Sequence, residues 1–273
     1  MLAMHPDVAW FSQFSQRDGK IPGRFKLPFY KFANRILRSY LTHDWRKKEE
    51  PLLDYLVPRP REINKIWDYI IHPLYASLTE ETSSNEFIHR LRSVFSNECS
   101  AWRKNIIIIK FIKLARHINL LHSAFPKAIF VHIVRDGRAV PPTTLHKVLS
   151  RSDDSSQIGA LQKAARNWKE VVGNIHKHKE EGNINLFEIR YEDFCTSPRR
   201  HISQLLSFAN LDVRSFPFKK CPDKLIVTNP KEFNRLTNEE IVMLEQMLGK
   251  WLTMYGYQIP LKDTTLVNKQ ELA

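Results

Sequence analysis

From Asn105 onward, short β-branched runs alternate with stretches of helical apolar spacing, and this alternation limits the fold more than any other feature of the chain. Ile106-Ile107-Ile108-Ile109 and the run Ala128-Ile129-Phe130-Val131-His132-Ile133-Val134 have the pattern of strands buried on both faces of a parallel sheet. Between them Leu114, Ile118, Leu121 and Phe125 recur at helical spacing and Pro126 ends the turn, which predicts a β-α-β unit. Leu161, Ala164, Ala165, Trp168, Val171, Val172 and Ile175 predict a long amphipathic helix, Gly182 its end, and Asn185 to Tyr191 a strand. Ser197-Pro198 opens a further helix, and Thr237 with Glu240 spells a capping box before a last helix that stops at Gly256. The expectation is an α/β fold with a mostly parallel sheet and helices on both faces. Such sheets bind ligands at the carboxyl ends of their strands.

Residues 1 to about 105 differ: they are rich in charge and aromatics and are cut by Pro22, Pro28, Pro51, Pro58, Pro60 and Pro73. Helices are expected there over Tyr30–Tyr40, Arg61–Tyr69 and Ser84–Cys99. No apolar run approaches the ~20 residues of a membrane-spanning helix, and Met1-Leu2-Ala3-Met4 lacks the shape of a signal peptide. Cys99, Cys195 and Cys221 are widely separated, without metal-site spacing, and read as free thiols. The net charge of +13 predicts attraction to anions. Charge by itself is the only argument for a nucleic-acid partner; no recognition helix or RNA-binding motif accompanies it, and none is expected.

The segment after the second strand carries the chemistry. Arg135-Asp136-Gly137-Arg138-Ala139-Val140 runs into Pro141-Pro142-Thr143, which reads as a helix start. A strand-end arginine beside a helix N-terminus makes an anion site, and Thr143 and Lys147, four apart, share one helix face beside it. A strand-end arginine can equally serve a structural ion pair, so both uses stay open on spacing alone.

The stretch Phe125-Pro126-Lys127-Ala128 through Arg135-Asp136-Gly137-Arg138-Ala139-Val140 resembles the 3′-phosphate-binding segment of sulfotransferases that use 3′-phosphoadenylyl sulfate. A hydroxyl residue stands eight positions after the first arginine, here Thr143. Lys147 matches a basic position shared with tyrosyl-protein sulfotransferases. Ile189-Arg190-Tyr191-Glu192-Asp193-Phe194 resembles the family's RYEDL segment, and Asn229 with Phe233 and the last helix resembles its C-terminal part, with Glu232 where the family has lysine. The resemblance implies a P-loop-like three-layer α/β fold and sulfuryl transfer from that donor, without a metal, to a hydroxyl or amine acceptor: small molecule, carbohydrate or peptide. It also implies that Arg135, Thr143, Lys147 and Tyr191 hold the donor. One domain, residues 1–273, is expected, with 1–104 a mostly helical acceptor side and 105–260 the nucleotide-binding core.

Two departures from the family accompany this reading. Met1-Leu2-Ala3-Met4-His5-Pro6-Asp7-Val8 matches only the part of the family beyond its first strand and its PRSGTT-type loop for the 5′-phosphosulfate, so strand and loop are expected to be missing through an incomplete N-terminus. A cytoplasmic location is implied only if the chain is complete. Where the tyrosyl-protein enzymes place a glutamate base, Ser12 and Gln13 stand. Glu62 is the nearest carboxylate candidate for a base, although a glutamate in a first helical turn commonly serves the helix dipole. His5, His132 and His146 are further alternatives, with His132 expected as a sheet residue and His176-Lys177-His178 as a solvated helix end. The rival reading is a non-catalytic nucleotide or polyanion binder on the same fold.

Overall fold

A computed structural model describes residues 1–11, 63, 67, 82–143 and 156–258. In chain order its strands and α-helices are β1 (Val8–Trp10), α1 (Thr82–Trp102), β2 (Ile106–Ile108), α2 (Ile118–Ala124), β3 (Ile129–Val134), α3 (Gln157–Glu181), β4 (Asn185–Arg190), α4 (Tyr191–Thr196), α5 (Pro198–Phe208), α6 (Asn229–Phe233) and α7 (Asn238–Met254). Another helical segment begins at Val140. The expected helix Tyr30–Tyr40 and, apart from Ile63 and Trp67, the helix Arg61–Tyr69 lie outside the described residues, as do Ser12, Gln13, Glu62, His146 and Lys147. The chain divides into two compact units: Met1–Val131 with His178–Phe187 and Thr196–Leu225, and His132–Lys177 with Glu188–Cys195 and Ile226–Ala273.

In the first unit, Phe87, Leu91 and Phe95 fall four apart on α1 and therefore share a face, which packs with Phe11, Ile63, Trp67, Phe111 and Leu121. Phe95 and Phe125 stack at 5.1 Å between ring centroids. β1 pairs in parallel with β2, Val8 opposite Ile106 through Trp10 opposite Ile108. Trp10 packs on Trp102 at 4.4 Å. β1 is not apparent in the sequence, because three residues are too few to display a period. The expected helix through Leu114 and Phe125 is broken at His117, whose backbone (φ −125°, ψ 29°) separates a 3₁₀ turn, Ile112–Arg116, from α2. Arg92 donates to the carbonyls of Ala124 and Ser123, satisfying acceptors at the end of α2. α5 starts on Pro198 as expected, but the Ser197 side chain makes no capping bond.

The second unit is built on Trp168 and Val172 of α3 against Leu244, Leu248, Trp251 and Leu252 of α7, with Val134 at the end of β3. Both halves of the capping box form: the Thr237 amide donates to Glu240 Oε2 at 2.9 Å and the Glu240 amide to Thr237 Oγ1 at 3.2 Å. After α7, Gly256 takes φ +70°, a left-handed conformation that glycine adopts without steric cost.

One expectation fails in both strand pairs. Among the described residues β2 pairs with β1 and β3 with β4, so the two strands expected to be buried in one β-α-β unit fall in separate two-stranded sheets. Ile106, Val131 and Ile133 are 42%, 41% and 50% exposed. On β3 the alternation of side chains buries Val134 but leaves the face shared by Val131 and Ile133 open. Cys99, Cys195 and Cys221 are free thiols, the last two buried.

Candidate functional site

β3 ends at Val134 and the next five residues turn before the helix at Val140. The turn is closed by Asp136, whose Oδ1 accepts from the Arg138 amide at 2.9 Å and whose carbonyl accepts from the Ala139 amide at 3.0 Å. Gly137 lies so close to Trp168 that an added Cβ would stand 2.9 Å from its ring. The two arginines of this turn have different partners. Arg138 is buried and donates to both oxygens of Asp136 and, at 2.7 Å, to Glu245 Oε1. Burial alone would lower its pKa, but the bonds and charges of Asp136 and Glu245 outweigh burial and raise it.

Arg135 is half-buried and, among the described residues, meets no carboxylate of its own. Its Nε donates to Asn229 Oδ1 at 2.8 Å and its Nη2 to Thr228 Oγ1 at 3.0 Å, both neutral oxygens from the start of α6. The guanidinium lies 5.1 Å from the centre of the Tyr191 ring, at the junction of β4 and α4. The Tyr191 hydroxyl is 3.3 Å from Thr228 Oγ1 and donates to the Ile226 carbonyl at 3.4 Å. A guanidinium has five N–H donors; two are engaged by Asn229 and Thr228. Among the described residues three donors and an uncompensated positive charge therefore remain at the end of β3, which fits an anion with several acceptor oxygens, such as a phosphate.

Behind this cation, Glu192 Oε1 accepts from Asn229 Nδ2 at 2.6 Å and from the Asp136 amide at 3.2 Å, and Oε2 accepts from the Tyr257 hydroxyl at 2.8 Å. Burial, then the charge and hydrogen bond of Glu192, hold the Tyr257 phenol well above the usual tyrosine pKa.

A model described as the sulfotransferase family matches residues 1–215. The chain belongs to that family. Over 163 residues it is 26% identical to the omega-hydroxy-beta-dihydromenaquinone-9 sulfotransferase Stf3 of Mycobacterium bovis and, equally, to that of Mycobacterium tuberculosis. These matches take in 57% of this chain and 42% of each relative, so the shared part is less than half the relatives' length. Among solved structures, the sulfotransferase STF9 from Mycobacterium avium superposes with a TM-score of 0.62 at 14% identity, covering 94% of this chain and 73% of that one. The likeness establishes the α/β fold expected from the strand and helix alternation, in the P-loop-like form that the resemblance implies.

Of the residues that the resemblance to sulfotransferases assigns to the donor, the structure brings Tyr191 to Arg135. Thr143 is exposed and its hydroxyl donates back to the Val140 carbonyl at 2.6 Å; among the described residues no contact joins it to Arg135. Lys147 and Glu62 lie outside the described residues. Nothing in the sequence singles out Thr228: Thr-Asn-Pro reads as a helix start, and no local signal marks its hydroxyl as a partner of an arginine 93 residues earlier.

Among the described residues, His5, His132 and His178 take structural places. His5 is 2% exposed; its Nδ1 accepts from the Asp7 amide and its Nε2 donates to the Asp212 carbonyl. His132 pairs with Glu188 at 2.9 Å within the β3–β4 sheet, as expected. His178 departs from the solvated helix end expected of it, being 4% exposed with Nδ1 3.2 Å from Asn183 Oδ1.

Proposed function

We propose that this sulfotransferase-family chain binds 3′-phosphoadenylyl sulfate within residues 105–260 and that the protein transfers the sulfuryl group to a hydroxyl or amine acceptor. The observation that carries the reading is the contrast between the two arginines: Arg138 is neutralised by Asp136 and Glu245, whereas among the described residues Arg135 meets only neutral oxygens. A cation desolvated in part and left without a counterion is stabilised when an anion joins it. The donor, when bound, supplies the sulfuryl group and an adenosine bisphosphate leaving group. Arg135 is assigned to its 3′-phosphate, Tyr191 to the nucleotide beside it, and Thr143 and Lys147 to further phosphate oxygens. For Thr143 this requires its hydroxyl to turn from the Val140 carbonyl it now bonds.

Transfer needs an acceptor oxygen or nitrogen in line and a base for its proton. Glu62 remains the candidate base. The acceptor is read as a hydroxyl-bearing small molecule, because the Stf3 relatives carry the name of an omega-hydroxylated menaquinone.

Titration calorimetry with adenosine 3′,5′-bisphosphate on the native chain, Arg135→Ala and Thr143→Ala tests the reading. The expected result is binding that Arg135→Ala weakens about 10- to 100-fold, the range for hydrogen bonds to a charged group. Absence of binding, or binding indifferent to Arg135, refutes it.

A further inference from the structure

We infer that Glu192 is a positioning residue, which fixes the Asn229 amide and through it the Arg135 guanidinium. The inference rests on Arg135 as the 3′-phosphate residue proposed above. A guanidinium can only donate hydrogen bonds, and an ionised carboxylate can only accept them. Asn229 stands between the two: its Nδ2 donates to Glu192 Oε1 at 2.6 Å and its Oδ1 accepts from Arg135 Nε at 2.8 Å. With those neighbours the amide has one satisfied orientation, and at 7% exposure it has little access to water for any other.

Glu192 is itself held from two sides, by the Asp136 amide at the end of β3 and by the Tyr257 hydroxyl after α7. Asn229 thereby transmits the orienting pull of a carboxylate while keeping its charge one residue away from the cation. Direct contact would neutralise Arg135 as Asp136 neutralises Arg138. The arrangement supplies a guanidinium that is fixed in direction and still short of an anion.

The test measures affinity of the full chain for adenosine 3′,5′-bisphosphate and for adenosine 5′-phosphate, which lacks the 3′-phosphate, by calorimetry. Glu192→Ala is expected to weaken the bisphosphate about tenfold or more and to leave the 5′-phosphate within about twofold. Glu192→Gln is expected to hold the preference within about threefold, since its amide oxygen accepts from Asn229 and its amino group can donate to the Tyr257 hydroxyl. Asn229→Asp places a carboxylate directly on Arg135 and is expected to cost the bisphosphate about tenfold or more.

Native preference in Glu192→Ala or Asn229→Asp overturns the inference, and so does equal loss of both nucleotides in Glu192→Ala, which would make the role merely structural. Failure of the underlying reading looks different: there the native chain shows no preference for the bisphosphate, or Arg135→Ala leaves the preference intact.

Discussion

Arg138 and Arg135 lie three residues apart, and the structure sets unequal consequences for removing them. Arg138→Met deletes a guanidinium whose partners, Asp136 and Glu245, have side chains only 5% and 13% exposed. Breaking one partner out of a buried ion network leaves uncompensated buried charge and costs about 3–5 kcal/mol. Loss of the contact with the Phe233 ring, 5.6 Å from the guanidinium, adds about 0.5–1 kcal/mol. Arg135→Met removes hydrogen bonds from the guanidinium of a half-buried side chain to two neutral oxygens, a cost of about 1.5–3 kcal/mol. Urea unfolding followed by tryptophan fluorescence reads the difference, since Trp168 and Trp251 sit in the core cluster of the unit that holds Arg138. A triple replacement, Asp136→Asn with Arg138→Met and Glu245→Gln, removes all three charges and is expected to recover at least half of the loss, because an ion network replaced whole is commonly neutral to stability. If Arg138→Met costs no more than Arg135→Met, the network contributes nothing that solvent would not, and the contrast on which the site is argued fails.

Two further outcomes are expected. His117 packs against Trp67 at 5.3 Å, and burial first, then the charges of Arg116 and Lys113, lowers its pKa. The unfolded chain then takes up the proton first, so stability falls as pH drops below about 6.5 and levels off only below the depressed native value; a series of urea midpoints against pH should show a shallower decline in His117→Phe, and an unchanged slope would refute the assignment. Gly137→Ala would bring a Cβ to 2.9 Å from Trp168 and 3.0 Å from Leu248, both in the core, and should destabilise by about 1–3 kcal/mol in the same urea assay, with native stability as the refuting result.

The parts of the fold that announce themselves in the sequence are those fixed by neighbouring residues. Thr237 and Glu240 are three apart, and their reciprocal bonds require nothing beyond the first turn of α7. Gly182 and Gly256 end α3 and α7 with positive φ, as their places after helical stripes predict. Where the outcome depends on distant chain, the reading goes astray. Ile106, Val131 and Ile133 have the composition of doubly covered strands, yet cover has to come from other elements, and these three side chains are 42%, 41% and 50% exposed. Ser197 has the chemistry of a cap and proline follows it at the first helical position, yet its side chain makes no capping bond; its backbone carbonyl accepts from the His201 amide and ring instead.

The candidate site divides along the same line. An aspartate two residues before Arg138 can fold back on it within one turn, so the sequence itself offers a reason for that arginine to be structural. For Arg135 the sequence supports anion binding and ion pairing equally, because the deciding partners arrive from Thr228 and Asn229, and the charge behind them from Glu192. A lone arginine is informative about ligand binding only once every group able to neutralise it has been located. Here, among the described residues, the carboxylate of Glu192 reaches Arg135 through the Asn229 amide and not directly, and that one intervening residue separates a structural ion pair from a cation left for an anion.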